Sequence, residues 1–372
     1  MDVSVVMPCL NEEQSVAGCV QRAMASLAKA GLKGEVIVVD NGSTDRSAEL
    51  AEQAGARVVH ENERGYGSAL LRGFREARGR YLVMGDCDGT YDFERLEPLL
   101  TPLSDGYELV VGNRLGEMLA PGAMPWVHRV VGTPLISSLV RLFSGARIRD
   151  SQCGLRAIRR DAYDRLELKA KGMEFASEMI LKAARRGLRV AEVPISYDLR
   201  IGDSKLSTVR DGWRHLRFLL ISSPGWAFMA PGLLFILLGL FALAVTVFTT
   251  NGLTVGSITW QPIFAGAILL VIGINTIMLG LASKLFAIRL ADHEEDWTIR
   301  IYRRHLGLER LLAVAAGLAV IGLGIDVIIL VEWLADSSRD LLAAATIAQS
   351  LIVIAVNLAF AALVAAMIDY EF

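Results

Sequence analysis

From Phe218 to Ser283 the chain contains no Asp, Glu, Lys or Arg, and a second charge-free stretch runs from Leu341 to Ile368. Apolar runs of about 20 residues suffice to cross the hydrocarbon core as helices, whose backbone groups are satisfied internally. Together with the apolar start of 311–325, they predict four spans at 226–249, 262–281, 312–334 and 341–367, and argue against buried helices of a soluble protein. Excess positive charge is also missing: the 372 residues carry a net charge of −2, which leaves no electrostatic footprint for nucleic acid. Cysteine is scarce. Cys9, Cys19, Cys87 and Cys153 lie in the first half without paired metal-ligand spacing, which disfavours zinc and predicts free thiols in a reducing compartment. The N-terminus lacks a basic segment followed by an apolar one, so no cleaved signal peptide is expected and the first domain is placed in the cytoplasm.

Loop charges agree with that placement. Lys284, Arg289, Arg300, Arg303, Arg304 and Arg310 fall between spans two and three, whereas the loop after span one has no basic residue and that after span three only Arg339. The positive-inside rule puts both termini and the middle loop on the cytoplasmic side.

What is present in the first 200 or so residues is an alternation of short apolar runs with amphipathic segments. Residues 3–7, 35–39, 57–60, 80–84 and 108–111 read as strands; 12–30, 45–55, 67–78 and 93–103 read as helices. Such alternation implies a mostly parallel sheet covered on both faces. A dinucleotide fold would carry Gly-x-Gly-x-x-Gly after its first strand, but here Pro8-Cys9-Leu10-Asn11-Glu12-Glu13 follows. No Gly-x-x-x-x-Gly-Lys-Ser/Thr occurs either, so a P-loop is excluded. Instead Asp86-Cys87-Asp88 ends the run Tyr81-Leu82-Val83-Met84. Two carboxylates one residue apart at a strand's C-terminal end can hold a divalent ion where open α/β sheets bind ligands.

Seven motifs in order carry a resemblance. Pro8-x-Leu10-Asn11-Glu12, Val39-Asp40-Asn41-Gly42-Ser43-Thr44-Asp45, Asn62-x-x-Gly65-x-Gly67 and Asp86-x-Asp88 follow the order seen in family 2 glycosyltransferases of the GT-A fold. Val111-Gly112-Asn113-Arg114, Asp150-Ser151-Gln152-Cys153-Gly154-Leu155-Arg156 and Gly202-Asp203-Ser204-Lys205-Leu206 resemble the polyprenyl-phosphate branch, the dolichyl-phosphate mannose and glucose synthases. The resemblance covers roughly residues 1–220. It implies a Rossmann-like GT-A domain over 1–205; the apolar runs and amphipathic patterning add an interfacial helix over 206–225 and a four-helix transmembrane domain over 226–372, with a cytoplasmic interfacial segment at 284–308.

The resemblance also assigns roles. Pro8, Leu10, Glu12, Val38 and Asp40 would meet the base and ribose of a sugar nucleotide; a carboxylate suits ring N–H groups and ribose hydroxyls. Asp45 reads better as a helix cap. Asp86 and Asp88 would share Mg²⁺ or Mn²⁺ with the donor diphosphate, Cys87 would line the donor, and Thr90 stands where mannose synthases often carry a glutamine ligand. Arg114, Arg129 and Thr133 match acceptor-phosphate positions, the guanidinium fork suiting phosphate oxygens. Arg200 and Lys205 match a pair on the donor diphosphate, at a spacing one residue shorter than in the mannose synthases. Asp88 and Arg114 are the candidate catalytic residues. Glu178 reads either as an acid that orients the sugar or as helix-surface charge.

The expected activity is therefore inverting, metal-dependent transfer of one sugar, UDP-glucose first, from a nucleotide to polyprenyl phosphate. GDP-mannose or another donor is the alternative. A processive polysaccharide synthase would usually carry Gln-x-x-Arg-Trp, which is absent, and a non-catalytic membrane partner would have little use for the Asp86, Asp88, Arg114 and Lys205 set. Expected partners are the donor, the lipid acceptor and the bilayer, with a homo-oligomer admitted. Arg210, Arg214, His215 and Arg217 interleaved with Trp213, Leu216, Leu219 and Leu220 suit a helix in the headgroup region, as do Phe286, Trp297 and Ile301 among basic residues. Asp326 and Gln349 fall at similar depths in spans three and four, where a buried charge is costly, and are expected to hydrogen-bond each other.

Overall fold

The computed structural model describes residues 1–202, 208–248, 253–255, 258–260, 262–289, 295–335 and 341–370. Two compact units emerge, Met1–Leu219 and Leu220–Phe372. In the first, the strands are β1 (Val3–Cys9), β2 (Gly34–Asp40), β3 (Arg57–His60), β4 (Tyr81–Met84), β5 (Leu109–Asn113), β6 (Arg156–Arg159) and β7 (Val190–Pro194). Between and after them come α1 (Val16–Lys29), α2 (Ser47–Gln53), α3 (Tyr66–Glu76), α4 (Glu97–Ser104), α5 (Thr133–Ser144), α6 (Arg160–Leu166), α7 (Phe175–Arg185) and α8 (Thr208–Ser222).

The sheet order is β3-β2-β1-β4-β6-β5-β7, with β6 antiparallel to both neighbours and every other pairing parallel. β1 and β2 read as nearly continuous apolar runs because helices cover both faces of the inner strands; Val3, Val5, Val6 and Ile37 are fully buried. In α1, Val16, Cys19, Val20, Ala23 and Leu27 recur every three or four residues and form the face against the sheet. All five expected strands form. The sequence pattern misses β6 and β7: β6 is four residues long with arginine at each end, so neither alternation nor an apolar run marks it.

The expected break after residue 205 falls later. His215 and Leu219 of α8 are buried in the first unit, while Trp213, Arg214, Arg217 and Ile221 are exposed. His215, read from sequence as part of a basic headgroup face, is thus a core residue, because a helix face packed on the domain takes whatever polar group finds a partner there.

The second unit contains α9 (Ala230–Phe248), the hairpin strands β8 (Leu253–Val255) and β9 (Ile258–Trp260), α10 (Pro262–Arg289), α11 (Trp297–Ile301), α12 (Leu308–Ala335) and α13 (Leu342–Asp369). Four helices are long and apolar enough to span a membrane, and each overlaps an expected span. α10 packs on α9 and α13, and α13 on α12. Close approach of α9 and α10 relies on glycine: a Cβ on Gly239 would lie 2.9 Å from the Gly266 carbonyl, and one on Gly273 2.8 Å from that of Gly232. Phe241, Val320 and Phe360 point outward, as side chains facing hydrocarbon would. The expected polar pair forms, with Gln349 Nε2 donating to Asp326 Oδ2 at 2.9 Å.

Candidate active site

At the C-terminal ends of β1, β2 and β3, three turns are laced together by the motif residues themselves. Asn11, with φ of 52°, accepts from the Thr44 amide at 2.7 Å, while the Asn11 amide donates to Ser43 Oγ at 2.9 Å and that of Glu12 to Ser47 Oγ at 2.7 Å. Asn41 donates to the carbonyls of Glu61 and Glu63 and accepts from the Gly65 amide. Asp45 is not the N-cap of α2, which is Arg46; from one residue outside it, Asp45 accepts from the amide of Ser47, the first residue of the helix. Gly65 and Gly67 are needed for a different reason: a Cβ on either would strike the carbonyl of Lys171 or Ala170. That 169–171 loop is held in turn by Glu178, whose buried carboxylate accepts from the Lys169 and Ala170 amides and pairs with Lys182. Glu178 is therefore neither surface charge nor aimed at a sugar.

Within this frame Asp86 and Asp88 sit beside β1, where the order of strands reverses direction from β1 to β4. Asp88 Oδ1 accepts from the Thr90 amide at 3.0 Å and its hydroxyl at 2.5 Å. Thr90 is thus committed to Asp88 and buttresses the carboxylate. Asp88 Oδ2 takes Arg200 Nη1 at 2.6 Å, and Arg200 Nη2 pairs with Glu12. The 197–201 strap that carries Arg200 lies along the motif, with the Ile201 amide donating to the Asp88 carbonyl and the Asp198 amide to that of Thr90.

Asp86 is half-buried, and its Oδ1, which is itself shielded from solvent, has no hydrogen-bond partner. Burial and the Asp88 charge push it up to about 7, against a Tyr66 hydrogen bond and the charges of Arg114 and Arg200. An orphaned carboxylate oxygen beside a second carboxylate fits a divalent cation. Among the described residues no group of three or more His, Cys, Asp or Glu is placed to hold a metal. Gly154 closes the other side: a Cβ there would meet Asp86 Oδ2 at 2.9 Å, and its amide donates to Tyr91 Oη at 2.7 Å.

Arg114 is buried and forked onto Asp150, Nε to Oδ2 at 2.7 Å and Nη2 to Oδ1 at 2.9 Å, and stacks over the Tyr197 ring at 5.2 Å. Burial works against the Asp150 charge, but Arg114 overrides it and holds the carboxyl below its usual range. Asp40 is buried, accepting from the Ser43 amide and facing His60 Nδ1 at 3.1 Å.

Not every expected residue comes to the site. Val38 is 0% exposed in β2, and Cys87 turns into the core with Sγ on the Pro8 carbonyl at 3.2 Å, so only backbone atoms of either face the turns. Pro8 and Leu10 are half-buried in the first turn. Arg129 is exposed in the π-helical turn His128–Gly132, and Thr133 is buried at the start of α5. Lys205 lies outside the described residues. Tyr66, Tyr91, Tyr197 and Asp150 were not singled out; the aromatic between Gly65 and Gly67 was a signal, whereas Tyr91 and Tyr197 meet only through tertiary pairing.

Residues 4–167 match the glycosyl transferase family 2 model, and residues 281–369 match that of the glycosyltransferase family 2 C-terminal transmembrane region. A low-salt glycan biosynthesis hexosyltransferase of Haloferax volcanii is 35% identical over 363 residues, covering 96% of this chain and 87% of the relative. The dolichyl-phosphate hexose transferase of the same organism is 34% identical over 211 residues, covering 57% of this chain and 89% of its own. The solved glucosyl-3-phosphoglycerate synthase of Mycobacterium tuberculosis, with Mn²⁺, UDP-glucose and phosphoglyceric acid, is 26% identical over 60% of this chain and 79% of that one, at a TM-score of 0.49.

Proposed function

Since this chain belongs to glycosyltransferase family 2, we infer that it moves a single sugar from a nucleotide sugar, UDP-glucose first, to a polyprenyl phosphate, with inversion and with a divalent cation. The observation that carries this reading is the buried Asp86 Oδ1, left unmatched beside Asp88, together with four membrane-length helices among the described residues. The dolichyl-phosphate hexose transferase among its relatives supports the acceptor class. UDP-glucose is placed first because Asp150-Ser151-Gln152-Cys153-Gly154 looks closer to the glucose synthases.

The donor diphosphate would lie over the Asp86–Asp88 turn. A cation held by these two carboxylates supplies charge neutralisation for the departing nucleoside diphosphate. Glu12 and Asp40 face the nucleoside from the first two turns, and Arg200 exchanges its carboxylate partners for diphosphate oxygens, with Lys205 as a second cation. Arg114, Arg129 and Thr133 receive the acceptor phosphate. Its second pKa is about 6, as for phosphorylated side chains, so it arrives largely ionised and needs no general base. One of its oxygens forms the new bond to the anomeric carbon as the bond to the diphosphate breaks on the opposite face. The chain's task is alignment and charge stabilisation. Both termini and the segment between spans two and three are assigned to the cytoplasm by the basic residues of that segment.

Purified protein incubated with polyprenyl phosphate, Mg²⁺ or Mn²⁺ and a panel of labelled sugar nucleotides is expected to yield labelled lipid from one donor, and none with EDTA. No product from any donor, or full activity in Asp88→Ala, overturns the reading.

A further inference from the structure

A chain of mostly buried polar side chains runs from α5, by way of the loop that holds Asp150, to α8 at the end of the first unit. His215 Nδ1 lies 3.1 Å from Ser177 Oγ on α7; Gln152 Nε2 donates to Ser177 Oγ at 3.3 Å and to Ser151 Oγ at 3.1 Å. Ser151 Oγ lies 3.0 Å from Ser137 Oγ on α5, and the Ser151 amide donates to the same oxygen at 3.0 Å. Ser137, Ser151 and Ser177 are fully buried and His215 is 5% exposed. Arg156 braces the chain, donating to the carbonyls of Ser151, Cys153 and Ala176.

Apolar side chains could fill this space, but they would not fix one arrangement. Hydrogen bonds are directional, and a satisfied buried network selects a single geometry. Two elements that this network joins carry acceptor groups. The 150–154 loop holds Asp150, which forks Arg114; α5 begins at Thr133, just beyond Arg129. His215 sits on α8, in the last residues of the first unit before the apolar helices begin.

We infer that His215 and Gln152 are positioning residues that set the acceptor-phosphate geometry, registering Arg114 and the start of α5 to the juxtamembrane helix. Neither touches the reacting atoms; both act through Ser151 and Ser177 on the Asp150 loop. The inference rests on the polyprenyl-phosphate reading above.

Initial rates of the full-length, detergent-purified protein, with each substrate varied in turn, test it. His215→Ala and Gln152→Ala are expected to raise KM for polyprenyl phosphate by about 2–30-fold, the range usual for residues that modulate coupling from outside a site. KM for the sugar nucleotide and kcat at saturating acceptor stay at the parent values. His215→Asn, which keeps a polar atom near the Nδ1 position, restores most of the acceptor affinity. Ser177→Ala, a single-hydroxyl deletion, reproduces the acceptor defect and serves if His215→Ala does not fold. Parallel shifts in both KM values, a lower melting temperature with both unmoved, or His215→Asn no better than His215→Ala overturns the inference alone. Absence of lipid product from the unsubstituted protein removes the acceptor reading and this inference with it.

Discussion

Arg114 and Asp150 form a bidentate pair with almost no water around it, so the two charges depend on each other. Removing one partner of a buried pair leaves the other uncompensated, at a cost of about 3–5 kcal/mol. Asp150→Asn is accordingly expected to lower the melting temperature sharply, and a double replacement of Arg114 and Asp150 by apolar residues to recover much of the loss without activity. Arg200 presents the opposite case, a cation on the carboxylates that the proposed metal would also use. Hydrogen bonds to charged groups contribute about 1.5–3 kcal/mol, so Arg200→Gln should weaken donor binding by about 10–100-fold. The same change should tighten Mn²⁺ binding measured calorimetrically without nucleotide, because a competitor is gone; weaker Mn²⁺ binding would show that Arg200 supports the metal instead. At this scale the sequence was readable where geometry is local to a motif: Asp86 and Asp88 lie in one turn directly after β4. It was misleading for Val38, Cys87 and Glu178, because a side chain's direction depends on which neighbours close over it.

Secondary-structure elements were legible in proportion to their apolar contrast. β1 and β2, buried on both faces, and the four long apolar helices all match their expected places, whereas β6 exists only because β4 and β5 flank it. In the membrane unit, the Gln349–Asp326 hydrogen bond between α12 and α13 was anticipated from depth alone. Interhelical hydrogen bonds in membranes average about 0.6 kcal/mol in double-mutant cycles. Asp326→Asn and Gln349→Leu, singly and together in detergent, should show a coupling of about that size by thermal unfolding; strict additivity would mean the contact contributes nothing.

For the molecule as a whole, acid sensitivity has a traceable source at the N-terminal ends of β1, β2 and β3, opposite the strand ends that carry the site. Burial opposes the Glu35 charge, but hydrogen bonds from Arg57, Ser4 and the Arg78 amide outweigh it and hold the carboxyl below its usual value. A depressed folded pKa stabilises fully above the ordinary value, about 4.3, and that contribution disappears as pH falls through the folded value. Glu35→Gln should therefore lower the melting temperature at pH 7, with the gap to the parent protein closing progressively below about pH 4.3; a constant gap would assign the loss to packing. Composition and order along the chain by themselves determined the class of protein: charge-free stretches of membrane length, an α/β alternation and a two-carboxylate turn are properties that hydrophobic transfer and backbone periodicity impose on any such chain. Only the tertiary structure decided which groups share the site. The meeting of Asp86 with Tyr66 and Gly154, of Arg114 with Asp150, and of His215 with Ser177 joins residues far apart in sequence, and burial then sets their charge and direction, which no local pattern encodes.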